Sequence, residues 1–189
     1  GTEYAASNGA IIIDISDSFN PKITKKQSMH FPRAFADATI LPNGDIFVNG
    51  GSASNHASFE DYDFSIFTPE IYKTNDDKWM KLAKSDFRRN YHSSSLLLPD
   101  GRIFVGGGDV WNAQFFYPPY LFSKDNKGKT ILAKRPDIIE IDKVIENRKN
   151  RTIKVDDNSI IEKVSLISTG STTHAQASEL KYLNLDFEK

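Results

Sequence analysis

The chain has 189 residues, 39% of them hydrophobic and 12% aromatic, and its 24 basic residues nearly balance its 25 acidic ones. This composition predicts a soluble globular protein with a sizeable core, and it excludes an electrostatic footprint for nucleic acid as well as a membrane span. Cysteine is absent, so the chain offers neither a disulfide framework nor thiolate chemistry.

The first clear element in chain order is a strand over Gly9–Ile15, and a repeated hairpin follows it. Residues 31–51 return as residues 87–107, and the turn glycines Gly44 and Gly101 stand 57 positions apart. Asn-Gly and Asp-Gly supply the positive φ that tight turns need, so each copy is predicted to be strand, turn, strand. Further strands are predicted after the hairpins, over Ser65–Tyr72, Lys78–Leu82 and Ala113–Phe116.

A unit of roughly 50 residues with about four strands and a Gly-Gly ending is typical of kelch-like β-propeller blades. After residue 121 the hairpin does not return, and strand-like stretches at Ile138–Ile141, Thr152–Val155 and Lys163–Ser168 predict an antiparallel sandwich. Two or three blades cannot close a propeller of at least about four, and ~55 residues are too few for a sandwich of ~100. We therefore expect a fragment, or a chain completed by partner segments.

Tyr91 and His92 are the leading candidates for chemistry. They stand where the first copy of the hairpin has Phe35 and Ala36, and the hairpin itself gives no reason for the replacement. The alternative is that Tyr91 packs as a blade aromatic and His92 is a solvated turn residue. His174 lies among small residues between two predicted strands, where a loop histidine is more common than a ligand. Two imidazoles and a phenol together form a donor set that suits copper.

Residues 89–108 resemble the segment of galactose oxidase and glyoxal oxidase that holds an axial tyrosine and an equatorial histidine of the copper site. Residues 113–121 resemble the end of that family's propeller, residues 59–61 and 67–72 its preceding blade, and residues 164–174 its early-set domain. The resemblance implies an all-β chain. Residues 1–125 would form the last blades of a kelch-type seven-bladed β-propeller, and residues 130–189 the incomplete start of an immunoglobulin-like (early-set) β-sandwich.

The resemblance also implies roles for particular residues. Tyr91 would be the axial copper ligand and the base that takes the alcohol proton, His92 and His174 would be equatorial ligands, and Phe59 would lie near the substrate. The family oxidises primary alcohols or aldehydes, including sugars, with dioxygen and releases hydrogen peroxide. It uses copper and a tyrosyl radical crosslinked to cysteine. Trp79 and Trp111 do not sit in the context of the family's radical-shielding tryptophan, and we interpret them as blade-packing residues.

The radical tyrosine and its cysteine partner lie upstream of this region in the family, so we expect the Tyr-Cys cofactor only from residues outside the chain. The same resemblance predicts a secreted or cell-surface protein. Two other functions stay open: a degenerate, metal-free propeller that binds carbohydrate or cell-wall material, and a kelch-type interaction module. An upstream Tyr-Cys pair would distinguish the oxidase from both.

Overall fold

A computed structural model describes residues 5–54, 62–144, 149–158, 160–173 and 176–189. These residues form strands and short 3-10 turns at Tyr62–Phe64 and Pro119–Leu121, which confirms the prediction of an all-β chain. The strands are β1 (Ala10–Asp14), β2 (Lys22–Lys26), β3 (Asp37–Ile40), β4 (Ile46–Asn49), β5 (Glu70–Lys73), β6 (Lys78–Lys81), β7 (Ser93–Leu97), β8 (Ile103–Gly107), β9 (Ala113–Phe116), β10 (Phe122–Lys124), β11 (Thr130–Leu132), β12 (Ile138–Glu140), β13 (Lys154–Val155), β14 (Val164–Ile167), β15 (Ser171–Thr173), β16 (Gln176–Ser178) and β17 (Tyr182–Leu185).

The two hairpin copies form the two largest sheets of the described chain. The first is an antiparallel four-stranded sheet in the order β3-β4-β5-β6, and the second is a three-stranded sheet in the order β7-β8-β9. Gly44 and Gly101, at the predicted turns, have φ of 85° and 83°, conformations that glycine adopts without steric cost. The turn chemistry read from the sequence therefore places both hairpins correctly.

The predicted strand Ser65–Tyr72 begins five residues later in the structure than the sequence predicts. β5 begins at Glu70 rather than at Ser65, and Ser65 forms an isolated bridge with Ser52. Pro69 has no backbone N–H to donate to a ladder, which explains why regular pairing starts directly after it.

The packed core lies between these two sheets. The ring of Phe47 in β4 contacts the ring of Phe116 in β9, with centroids 5.4 Å apart. The buried hydrophobic side chains are Leu41, Phe47, Val48, Ile71, Tyr72, Ile103, Val105 and Leu121. All of them except Leu121 belong to the two repeated hairpins and the strand that follows the first, so the repeat supplies the described core.

The remaining strands pair in twos: β1 with β2, β10 with β11, β12 with β13, β14 with β17 and β15 with β16. The chain divides into two compact units, one of Gly1–Tyr117 and Ile167–Tyr182, the other of Pro118–Leu166 and Leu183–Lys189. Within the first unit, β15 lies against β7 and β16 lies against β3. Among the described residues, no helix is long and apolar enough to cross a membrane.

Candidate functional site

Tyr91 and His92 are the central residues of a tight turn that leads into β7. The N–H of Ser93 closes the turn by donating to the carbonyl of Asn90 at 3.0 Å. Because the pair precedes the strand, its side chains escape the alternation that would send neighbours on a strand to opposite faces. The two rings stack at a tilt, with centroids 3.9 Å apart and planes at 31°. Tyr91 is half-buried and His92 is exposed, so a phenol and an imidazole are presented together.

The strand register aligns His92 with Phe35 rather than with Ala36. Cross-strand partners of the first hairpin recur 57 positions later in the second, which makes Phe35 and His92 equivalent. Both have a left-handed backbone, with φ of 59° and 65°, that bulky residues rarely adopt. The alignment of Phe35 with Tyr91 and of Ala36 with His92 is therefore wrong by one residue. It fails because the two buried arginines are 56 positions apart whereas the paired strand residues are 57 apart, so Asp37 corresponds to Ser94 rather than to Ser93.

A buried arginine fixes the start of this turn. Arg89 is 1% exposed, and its guanidinium donates to the carbonyl of Gly107 at 2.9 Å and to Oδ1 of Asn112 at 2.5 Å. Its own carbonyl accepts a hydrogen bond from the N–H of Gly51 at 2.7 Å. Burial lowers the pKa of Arg89, but a guanidinium remains charged in proteins. The turn is thereby tied to both repeated sheets.

The equivalent arginine of the first copy has a carboxylate partner, and Arg89 does not have one at the matching place. Arg33 donates to the carbonyl of Gly50 at 2.6 Å and to Oε2 of Glu70 at 2.9 Å. In the register of the second sheet, Gln114 occupies the position of Glu70. The second copy thus keeps a buried arginine, Arg89, but has the neutral Gln114 where the first copy has Glu70.

A polar seam joins β3 to β7 directly behind the turn. Asp37 is 1% exposed, and its Oδ2 accepts a hydrogen bond from Oγ of Ser93 at 2.5 Å. Farther along, Oγ1 of Thr39 donates to the carbonyl of Ser95 at 2.9 Å. Burial raises the pKa of Asp37 to about 6, although the hydrogen bond from Ser93 opposes the rise. Ser93, which directly follows His92, is therefore hydrogen-bonded to the buried carboxyl group of Asp37.

Two of the sequence-predicted site residues, Phe59 and His174, lie outside the described residues. What the structure does describe is the hairpin around His174, in which Thr173 pairs with Gln176. This hairpin lies along β7 and β3. Beyond it, the ring of Tyr182 contacts the turn between β3 and β4: a Cβ added to Gly44 would be 3.2 Å from that ring.

The described residues fit copper as part of a ligand set. Tyr91 and His92 provide one phenol and one imidazole, donors that suit Cu(II). In the part of the chain that the structure describes, no three His, Cys, Asp or Glu residues cluster closely enough to hold an ion. The pair therefore needs at least one more donor. One of the described strands that contact β7 is β15, which His174 directly follows in the sequence.

Sequence reasoning missed the residues that support the turn. The supporting roles of Phe35, Asp37 and Arg89 become apparent only when the two copies are compared in the register of the structure. Trp79 packs as predicted, with its ring 5.2 Å from that of Tyr72. The interpretation of Trp111 as a packing residue is wrong, because its side chain is fully exposed, at 103%. The signal available in the sequence was the run Gly106–Gly108 shortly before Trp111, which predicts a loop rather than a strand.

The described chain is all-β, with two repeated hairpins and a Tyr-His turn at the start of β7, and comparison with known proteins narrows its class. Residues 2–125 match the family described as glyoxal oxidase N-terminus. A galactose oxidase of Gibberella zeae is 35% identical over 179 residues, which is 90% of this chain and 25% of that protein. Aldehyde oxidase GLOX1 of Arabidopsis thaliana is 33% identical over 115 residues, 52% of this chain and 19% of that protein.

A solved structure extends the likeness to the fold. A fungal alcohol oxidase of the AA5 family, in complex with copper, superposes with a TM-score of 0.85 at 28% identity, over 100% of this chain and 40% of its own. The chain belongs to the galactose oxidase and glyoxal oxidase family. It spans about a quarter of the length of the galactose oxidase that it matches.

Proposed function

We propose that the protein is a copper radical oxidase that oxidises primary alcohols or aldehydes with dioxygen and releases hydrogen peroxide. The observation that carries the proposal is the turn at Tyr91 and His92, which presents a phenol and an imidazole side by side within the segment shared with the family. The galactose oxidase, the aldehyde oxidase and the copper-bound alcohol oxidase to which the chain is similar support the reaction class.

The ligand set that we propose is Tyr91, His92 and His174. Support for His174 comes from the strands on either side of it in the sequence. His174 directly follows β15, which lies against β7, and it precedes β16, which lies against β3. Tyr91 and His92 directly precede β7.

The chemistry divides between the metal and the chain. Bound copper would supply one-electron oxidation and reduction, which no side chain here offers. The phenolic oxygen of Tyr91 would accept the proton of the substrate hydroxyl, and Phe59 would contact the substrate. The overall reaction balances as a primary alcohol plus dioxygen giving an aldehyde plus hydrogen peroxide. The printed sequence has no cysteine, so a Tyr-Cys radical cofactor would require residues beyond it.

For the architecture, we propose that residues 1–125 are the last blades of a seven-bladed kelch-type propeller and that residues 130–189 begin an early-set, immunoglobulin-like domain. The four-stranded and three-stranded antiparallel sheets with a 57-residue repeat support the first part. The two-stranded ladders after residue 121 support the second. Secretion or a cell-surface location completes the proposal and rests on the family resemblance.

The test is copper titration of the full-length protein, including the residues beyond this sequence, with peroxide detection against galactose, glyoxal and methylglyoxal. The variant His92→Asn removes the proposed imidazole ligand without straining the backbone, because asparagine tolerates the left-handed conformation of position 92. We expect wild type to bind copper tightly and form peroxide. We expect H92N to keep its unfolding midpoint and to lose more than the ~10–100-fold in metal affinity that outer-shell changes cost. Equal copper affinity of the two proteins would refute the proposed site.

A further inference from the structure

Arg89 is a buried cation without an ion-pair partner. Its side chain is 1% exposed, and its guanidinium donates to two neutral oxygens, the carbonyl of Gly107 and Oδ1 of Asn112. In the part of the chain that the structure describes, its Nε has no hydrogen-bond partner and no acidic side chain pairs with it. The ring of Phe87, 5.9 Å from its Cζ, compensates the charge only weakly.

The first copy of the hairpin shows that this fold accommodates an ion pair at the same place. There Arg33 lies 2.9 Å from the carboxylate of Glu70, and both side chains are fully buried. A buried charge is costly unless an opposite charge compensates it. The second copy therefore keeps an uncompensated positive charge that the hairpin itself does not require.

This charge lies close to the Tyr91–His92 turn. The carbonyl of Gly107 accepts a hydrogen bond from the guanidinium at 2.9 Å, and a Cβ added to Gly107 would be 2.6 Å from the carbonyl oxygen of His92. The guanidinium is therefore at most about 10 Å from that oxygen. A charge acts in all directions, and salt screens a buried charge little. The positive potential of Arg89 thus reaches the turn whatever the orientation of its two rings.

We propose that Arg89 is an electrostatic tuning residue of the metal site, whose unpaired charge weakens the binding of a metal cation at Tyr91 and His92. This inference rests on the proposed function, because it takes the turn to be part of a copper site. A fixed positive charge repels a cation, and a guanidinium in a protein does not lose its proton. The two described donors therefore hold a metal poorly by themselves, and the site favours an ion that engages the complete ligand set.

The variant Asn112→Asp tests this role because it changes charge and leaves the shape of the side chain the same. It replaces the amide oxygen that already accepts from Arg89 at 2.5 Å with a carboxylate. In the full-length protein, we expect the Cu(II) affinity, measured by competition with a chromophoric chelator, to rise about five- to fifteenfold. This is the effect of one unit charge about 10–15 Å from the ion at an effective dielectric constant of about 20.

Two further variants control for the added charge and for the fold. Asn126→Asp adds the same charge at an exposed turn position and should change the Cu(II) affinity less than about twofold, because solvent and salt screen it. Gln114→Glu supplies the acid at the position equivalent to Glu70 and should also tighten binding. A purely structural role for Arg89 gives no gain of affinity in either variant. The absence of a gain in both Asn112→Asp and Gln114→Glu overturns the proposal.

Copper affinity and peroxide formation together separate this inference from the oxidase assignment. Tighter copper binding by Asn112→Asp in a protein that forms no peroxide supports the tuning role and refutes the proposed function. Peroxide formation by wild type, with equal copper affinity in wild type and both acidic variants, does the reverse. Equal copper affinity of wild type and His92→Asn places the metal elsewhere and overturns both.

Discussion

The ring of Phe35 packs edge-on against the ring of Tyr91, with centroids 5.3 Å apart and planes at 74°. Phe35 is the repeat equivalent of His92, and both residues hold a left-handed backbone. Phe35, at the left-handed position of the first hairpin, thus packs against Tyr91 of the second hairpin. The first copy, which has neither the tyrosine nor the histidine, thereby contributes to the proposed site.

This contact predicts an energetic coupling between Phe35 and Tyr91. In a double-mutant cycle of Phe35→Leu and Tyr91→Leu, we expect a coupling of about 0.5–1.5 kcal/mol in the free energy of unfolding, because an aromatic pair contributes that much beyond its buried area. Urea denaturation of the four proteins measures it. Strictly additive losses would show that the ring contact contributes nothing.

Asp37 predicts a pH-dependent stability. Its pKa is about 6 in the folded chain against an ordinary value of 3.8, so the folded state binds the proton more tightly than the unfolded state. The stabilisation is complete below about pH 4 and is lost as pH rises through about 6, with a total of roughly 3 kcal/mol for a two-unit shift. Asp37→Asn should remove this pH dependence, because an amide does not titrate in this range. The variant should still fold, because its amide oxygen can accept the hydrogen bond from Ser93.

Urea denaturation at pH 4.5 and pH 8 checks the Asp37 prediction. Asp76→Asn, at an exposed turn position, is the matched control and should keep the pH dependence of wild type. If Asp37→Asn and wild type lose the same stability between the two pH values, the carboxyl of Asp37 does not carry the effect.

Glu70 is expected to be critical for stability because it neutralises buried Arg33. Burial would raise the pKa of Glu70, but hydrogen bonds from Arg33 and His30 outweigh it, and the pKa is lowered. Glu70→Gln leaves the guanidinium without its counter-charge, a change that typically costs about 3–5 kcal/mol. Asp100→Asn removes the acid of an exposed pair with Arg102 and should cost less than about 1 kcal/mol. Similar losses in the two variants would contradict the prediction.

Gly50 is expected to tolerate no side chain, because a Cβ there would overlap the carbonyl oxygen of Arg89. Gly50→Ala should therefore displace Arg89 and lower copper affinity as well as stability. Gly128 has a similar φ, 76°, but open space around its Cβ position. Gly128→Ala should cost only the backbone strain of about 1–2 kcal/mol and leave copper affinity unchanged. Calorimetry of unfolding and of copper binding compares the two variants.

The sequence by itself determined the all-β class, the two hairpins with their Asn-Gly and Asp-Gly turns, and the candidate pair Tyr91 and His92. These features are local, because turn residues and alternating hydrophobic residues determine the backbone conformation of only a few neighbouring positions. Tertiary structure decided which residues are equivalent, because the cross-strand register shows that the residues entering β3 and β7 correspond at an offset of 57 positions, like the turn glycines, rather than 56. It also decided that Arg89 is buried while Gln114 stands at the strand position where the first copy has Glu70, and that Trp111 faces solvent. Burial depends on strands far apart in the chain, and no local pattern encodes it.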